Sequence, residues 1–155
     1  MAKTITFSTL AAPSNVVAAT ASGGNLDGNT TYYYCVIAVF VATSGTGSAY
    51  GYEGGRSLCS AEVQATTDSV NKTINLTWNA VSGAGGYRIY RCKGESISAT
   101  STKMNTMLGI ALTTTSYTDN GSVAQQLYHT IYRNDVEGSL SLTGGTSADP
   151  ITITD

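Results

Sequence analysis

The sequence predicts an all-β protein built as an antiparallel sandwich or barrel, and three observations support this. Residues that favour strands are plentiful, with 24 Thr and 10 Tyr among 155 residues. Apolar and polar residues alternate along most of the chain, and no segment carries apolar residues at helical spacing over three turns. Turns rich in Gly, Asn and Asp separate the short apolar runs, as in proteins made of many short strands.

The first half of the chain predicts four strands. Lys3–Phe7 alternates cleanly, and Val16–Thr20 is a short run of β-branched and small residues. Thr31–Phe40 is apolar on both faces, which is typical of a central strand covered on both sides. The chain returns in Leu58–Ala65 after a gap rich in Gly, Ser, Thr and Tyr.

The second half predicts six more strands, which gives about nine or ten in total. Ile74–Trp78 alternates, and Tyr87–Arg91 places Tyr87, Ile89 and Arg91 on one face. The remaining candidates are Met107–Thr113, Leu127–Arg133, Glu137–Leu142 and Pro150–Thr154.

The length of 155 residues fits one domain that can bury a core without disulfide or metal support. We expect residues 1–155 to form a single β-sandwich domain. Residues 1–12 would be an N-terminal strand or arm, 13–142 the sandwich core, and 143–155 a C-terminal strand. The core would carry a long loop over residues 42–56, and loops of that length in a compact domain are usually functional.

The charge balance excludes two classes of partner. Only 12% of the residues are charged and the formal net charge is −2, so no basic patch predicts a nucleic-acid or anionic-membrane partner.

No apolar run reaches the roughly 18 residues of a membrane span. The first residues, Met1–Phe7, alternate and lack the apolar run of a signal peptide. We therefore expect synthesis in a host cytoplasm without export by a cleaved signal.

Residues that could carry chemistry are scarce, so we expect no enzyme, no cofactor and no metal. His129 is the one histidine, and no nucleophile elbow, phosphate loop or paired-His motif is present. The three cysteines, Cys35, Cys59 and Cys92, are widely spaced and odd in number, which predicts buried thiols rather than a disulfide framework. The Asp119-Asn-Gly turn lacks the spacing of a calcium loop.

Two groups of residues are candidates for contact with a partner. Tyr50 and Tyr52 lie in the Gly-rich loop, where tyrosines among Gly and Ser form adaptable contact surfaces, and Arg56 closes that loop. The second group comprises Ile5, Phe7, Ile151 and Ile153, on alternating runs near the two ends of the sequence. Such runs either pair within the monomer or add to the sheet of a neighbouring molecule.

The run Ile74–Arg91 resembles the B and C strands of a fibronectin type III module. In that family a Trp ends one strand, a turn of small residues follows, and a Tyr opens the next strand, as Trp78, Gly83–Gly86 and Tyr87 do in this sequence. The resemblance implies an Ig-like or fibronectin type III-like sandwich. Its structural core candidates are Trp78, Tyr87, Ile89, Tyr34 and Val36.

Two further runs resemble the same family. Thr114–Gly121 resembles the exit of its E strand, and Thr30–Tyr34 with Gly55–Val63 resembles its final hairpin. The chain order departs from the family, because this Tyr-rich hairpin comes before the Trp strand. That arrangement is similar to Ig-like and fibronectin-like segments in structural proteins of tailed bacteriophages. The resemblance covers roughly residues 13–121, and it implies a capsid decoration protein, a head fibre, or a small tail or baseplate protein.

We therefore expect a non-enzymatic virion structural protein, most specifically a phage capsid decoration or head accessory protein that stabilises or coats the particle. Its partner would be the major capsid protein or another virion protein, contacted through the loop and strand edges. It would assemble as a homo-oligomer, with a trimer favoured, and be located in the virion. The alternative is a glycan-binding or adhesin module of a tail fibre or cell-surface filament. A third reading, an accessory domain of a secreted hydrolase, has neither a signal peptide nor a carboxylate pair in its favour.

Overall fold

The computed structural model of this protein describes residues 4–40, 55–97, 106–124 and 139–143. All nine elements within these ranges are β-strands, and no helix occurs there, so the predicted all-β class is confirmed. The strands are β1 (Thr4–Ser8), β2 (Val17–Ala21), β3 (Thr31–Val39), β4 (Val63–Thr66), β5 (Thr73–Thr77), β6 (Gly86–Lys93), β7 (Thr106–Leu112), β8 (Ser116–Asp119) and β9 (Ser139–Thr143).

The strands form three sheets in which every neighbouring pair is antiparallel. One sheet has the order β2-β5-β8 and a second has the order β4-β3-β6-β7. The chain passes between these sheets several times, for example from β5 to β6, so residues adjacent in sequence contribute to both. β1 and β9 form a separate two-stranded sheet.

A single hydrophobic core joins the two larger sheets. Ile74 and Leu76 of β5 contribute from one sheet, while Tyr34 and Val36 of β3 and Ile89 of β6 contribute from the other, and all five are fully buried. Because each strand places every second side chain on this inner face, the period-two pattern of the sequence translates directly into the core.

Trp78 and Tyr87 close one end of this core. Their rings meet edge to face with centroids 5.3 Å apart, and the Val81 N–H donates a 2.8 Å hydrogen bond to the Tyr87 hydroxyl. The connection between them turns at Gly83, whose φ of +82° lies in the left-handed region that glycine adopts without strain.

The middle strands of the four-stranded sheet are buried on both faces. Every residue of β3 from Tyr34 to Val39 is buried, as the two-sided apolar pattern predicts. On the outer face, Cys35 and Ile37 of β3 pack with Tyr90, Cys92 and Ile97, and Tyr33 and Cys59 lie against this second cluster. The sheet therefore has an apolar layer on each side.

The chain departs from the predicted strand pattern at the start of β4. β4 begins at Val63 rather than at Leu58, because Ser57 and Ser60 before it each bond to β3 through one backbone N–H and one side-chain oxygen, as described below. β1 pairs with β9, with Ile5 opposite Leu142 and Phe7 opposite Leu140, so this run pairs within the monomer. The predicted strands Leu127–Arg133 and Pro150–Thr154 lie outside the described residues.

Over the four described ranges, no helix is long and apolar enough to cross a membrane.

Candidate functional site

The two sides of the long loop meet at the end of β3. The Phe40 N–H donates a 3.2 Å hydrogen bond to the Gly55 carbonyl, and Val39 forms an antiparallel bridge with Arg56. On the other side of β3, the Gly85 N–H donates to the Val39 carbonyl at 2.9 Å. The described residues on either side of positions 41–54 are therefore held together by hydrogen bonds at the end of the sheet.

The chain returning from this point, residues 57–60, is held against β3 by two serines, and we call it the serine segment. The Ser57 N–H donates to the Ala38 carbonyl at 2.9 Å, and the Ala38 N–H donates back to Ser57 Oγ at 3.0 Å. Ser60 repeats the arrangement with Val36, at 2.9 and 3.0 Å. Each serine thus supplies the donor and the acceptor that a neighbouring strand would supply.

The serine hydroxyls are also oriented by local bonds. Ser57 Oγ donates to the Leu58 carbonyl at 2.7 Å, and Ser60 Oγ donates to the Ala61 carbonyl at 2.8 Å. A hydroxyl has one hydrogen, so this donation leaves its lone pairs directed at the N–H groups of β3. Both serines are 1% exposed, which keeps water from competing for these bonds.

The structure places the sequence-predicted contact residues as follows. Arg56 lies at the base of the loop and is half-buried. Tyr50, Tyr52, Ile151 and Ile153 lie outside the described residues. Ile5 and Phe7 lie on β1, at the register positions given above.

All five structural core candidates lie in the core cluster between the two larger sheets. Tyr34, Val36 and Ile89 are 0% exposed, Trp78 5% and Tyr87 4%.

A polar cleft lies at the opposite end of the four-stranded sheet, where β3 begins and β6 ends. It encloses about 140 Å³, and Asp27, Tyr32, Arg91 and Lys93 are among its lining residues. At its floor the Arg91 guanidinium lies over the Tyr32 ring, 5.6 Å from the centroid, and Arg91 Nη2 donates to the Val123 carbonyl at 2.9 Å.

Arg91 also forms a buried ion pair with Asp119. Its Nη1 lies 2.9 Å from both carboxylate oxygens, and the two side chains are 6% and 1% exposed. The Asp119 carboxylate also accepts hydrogen bonds from the Tyr34 hydroxyl at 2.9 Å and from the Gly121 N–H at 3.1 Å. Because Asp119 ends β8 while Arg91 and Tyr34 lie on β6 and β3, the network ties the two sheets together.

This environment makes the Tyr34 hydroxyl less acidic than that of an ordinary tyrosine. Burial, and after it the negative charge of Asp119, raises the pKa of Tyr34 far above the ordinary value of a tyrosine. Tyr34 therefore remains a hydrogen-bond donor to Asp119 at any physiological pH. The carboxylate is fully engaged and excluded from solvent, an arrangement that suits a structural tie between the sheets rather than proton transfer to a substrate.

An exposed ion pair lies at the mouth of the cleft. The Lys93 ammonium donates to the Asp27 carboxylate, and this contact lowers the pKa of Asp27 and raises the pKa of Lys93. The Asp27 N–H also donates to the Tyr32 hydroxyl at 2.9 Å. Both charged groups are open to water, so the pair contributes little to stability.

Sequence reasoning missed one cluster of reactive groups. Cys35 and Cys59 are 24 positions apart, yet their sulfur atoms lie 3.0 Å from each other. The sequence indicates this closeness only indirectly, because Ser57 and Ser60 must first be recognised as hydrogen-bonding partners of β3. Among the residues with described positions, no group of three or more His, Cys, Asp or Glu could hold a metal ion, and His129 lies outside them.

Comparison of this chain with family models, with curated proteins and with solved structures finds no match.

Proposed function

We propose that this chain is a non-enzymatic structural protein of a tailed-phage virion, most specifically a capsid decoration protein with an Ig-like or fibronectin type III-like sandwich fold. The observation that supports this best is the hydrogen-bonded base of the long loop. It joins a rigid sheet to a segment whose composition suits contact with another protein.

The strand order supports the fold part of the proposal. In Ig-like sandwiches one sheet places strands A, B and E side by side, and the other places C beside the F–G hairpin. The sheet β2-β5-β8 corresponds to A-B-E, while β6 next to the β3–β4 hairpin corresponds to C next to F–G. The chain reaches these places in a different order, since β3 and β4 precede β5.

The loop supports the contact part of the proposal. Binding loops commonly extend from a rigid scaffold that fixes where they begin and end. The bonds of Phe40 with Gly55 and of Val39 with Arg56 supply such a base. Between them the sequence carries Tyr50 and Tyr52 among Gly, Ser and Thr, a composition that combines large contact area with adaptable hydrogen bonding.

The surface composition is consistent with coverage by other subunits. Few ions would have to lose water on contact, because only 12% of the residues are charged. Many copies on one lattice, in contact with the major capsid protein and with each other as homo-oligomers, would convert weak single contacts into lasting attachment.

The test is quantitative mass spectrometry of purified particles carrying either the native chain or a variant. We expect Tyr50→Ala combined with Tyr52→Ala to lower the number of copies per particle while leaving the Tm nearly unchanged. Val70→Ala, a truncation of an exposed apolar residue outside the loop, serves as the control and should keep native occupancy. Unaltered occupancy of the double variant would contradict the role of the loop, and absence of the chain from particles would contradict the virion assignment.

A glycan array probed with the isolated protein distinguishes the proposed decoration protein from the alternative, a glycan-binding or adhesin module. Reproducible binding to a defined sugar, lost in the same double variant, would favour an adhesin module over a decoration protein.

A further inference from the structure

We propose that Cys35 and Cys59 are a reversible redox pair, in which a low-molecular-weight disulfide such as oxidised glutathione converts the two thiols into an internal disulfide. This modification site goes beyond the proposed function and does not depend on it. The bond would fasten the serine segment covalently to β3.

Two independent features of the structure hold the sulfurs together. The hydrogen bonds of Ser57 and Ser60 to Ala38 and Val36 fix the backbone on both sides of Cys59 alongside β3. On β3, Cys35 directly precedes Val36, the residue bonded to Ser60. Its side chain lies on the outer face of the sheet, in the apolar cluster against which Cys59 packs. The resulting Sγ–Sγ distance is 3.0 Å, which exceeds the disulfide length of about 2.05 Å by only about 1 Å.

The difference in exposure sets the order of the reaction. Cys59 is half-buried, whereas Cys35 is 0% exposed. The Cys59 thiolate therefore attacks oxidised glutathione first, which forms a mixed disulfide and releases one glutathione thiolate. Cys35 then gives up its proton, and its thiolate attacks the Cys59 sulfur and displaces the second glutathione. In total two protein thiols and one oxidised glutathione give one protein disulfide and two reduced glutathiones.

Cys92 provides a matched control. It is buried at 2% on the same face, within the same apolar cluster. Its backbone position on β6 is opposite Tyr33, two residues from the position opposite Cys35. A general tendency of this cluster to oxidise would therefore involve Cys92, whereas the proposed pair leaves it as a thiol.

The sequence allows the linkage to be read directly. Trypsin cleaves after Lys3, Arg56 and Lys72, so Cys35 and Cys59 fall in separate peptides, 4–56 and 57–72. The full-length protein is incubated with excess oxidised glutathione, alkylated with iodoacetamide in urea so that buried thiols also react, and digested without reductant. We expect a disulfide-linked pair of these two peptides and one alkyl group per intact chain, on Cys92. The Cys92→Ala variant should form the same link with no alkyl group, and Cys59→Ala should not form it.

The wild-type measurement decides the question even if a cysteine variant fails to fold. Three alkyl groups per chain, glutathione retained on Cys59, or a link through Cys92 would overturn the proposal.

Thermal unfolding gives a second readout. A ring closed between residues 24 positions apart should raise the Tm of the oxidised protein by roughly 5–10 °C, and dithiothreitol should reverse the rise. An unchanged or lower Tm in the linked protein would show that the native fold does not hold the sulfurs ready to bond.

Discussion

At the scale of single residues, Arg91 and Asp119 form a buried ion pair within the described part of the chain. Taking both charges out of water is costly, and the structure offsets this cost by engaging each carboxylate oxygen with Arg91 and by adding hydrogen bonds from Tyr34 and Gly121. The pair of Asp27 and Lys93 also joins an acid to a base, but both side chains remain exposed to water, so their attraction is weak. The buried pair therefore affects stability far more than the exposed pair, although each consists of one acidic and one basic side chain.

Asp119→Asn should lower the free energy of unfolding by about 3–5 kcal/mol, because it leaves the buried Arg91 charge without its counter-ion. Asp27→Asn is the matched control, since it removes the acid of the exposed pair and should hardly change the free energy of unfolding. Urea unfolding of the two variants beside the native protein measures both effects. Equal losses in the two variants would show that burial does not distinguish the pairs.

At the scale of elements, the serine segment shows how a strand can be paired without a second strand. The regular ladder between β3 and β4 covers Thr31 to Tyr34 on β3, and the two serines take over at Val36 and Ala38. Val36 is fully buried, so its N–H has no access to water and depends on the Ser60 hydroxyl.

Ser60→Ala should therefore cost about 1–3 kcal/mol of unfolding free energy, because it leaves the buried N–H of Val36 without an acceptor. Ser82→Ala, at an exposed turn position, is the control and should stay within about 0.5 kcal/mol of the native protein. Chemical denaturation of both variants provides the comparison. A Ser60→Ala protein as stable as the control would mean that the hydroxyl does not carry this bond.

The elements also show how far sequence patterns reach. Alternation predicted the positions of β1, β5 and β6 closely, and in β5 the buried Ile74 and Leu76 lie on either side of the exposed Asn75. The same reasoning extended β4 back to Leu58, since the run from Leu58 to Ala65 has the composition of a strand. It failed there because Ser57 and Ser60 each pair with β3 through one backbone N–H and one side-chain oxygen, an arrangement that carries no periodic signal. The buried ion pair was hidden for a related reason: Arg91 and Asp119 are 28 positions apart, and only the fold brings them together.

At the scale of the whole molecule, three tyrosines make the free energy of unfolding fall at alkaline pH. Burial is the main cause that raises the pKa values of Tyr34, Tyr32 and Tyr117 above the ordinary value of about 10. These phenols keep their protons in the folded protein at a pH where the unfolded chain has lost them. The stability they contribute is complete below pH about 10 and is lost as the pH rises beyond it.

We expect the free energy of unfolding to fall steeply above pH about 10, and Tyr34→Phe to make this fall shallower. At pH 8 the variant should be less stable by about 1 kcal/mol, because Asp119 loses the hydrogen bond from Tyr34. Urea titrations across the alkaline range measure both quantities. Parallel pH profiles for variant and native protein would show that Tyr34 does not contribute to the alkaline loss.

The burial of β3 has a further consequence, for aggregation. The strand Thr-Tyr-Tyr-Tyr-Cys-Val-Ile-Ala-Val contains no charge, no proline and no glycine, which is the composition of segments that stack into cross-β fibrils. In the folded protein β6 covers one of its edges, and β4 with the serine segment covers the other. The serine segment therefore covers the part of this edge that β4 does not reach, and a chain whose serine segment has detached would offer half of β3 as a template to its neighbours.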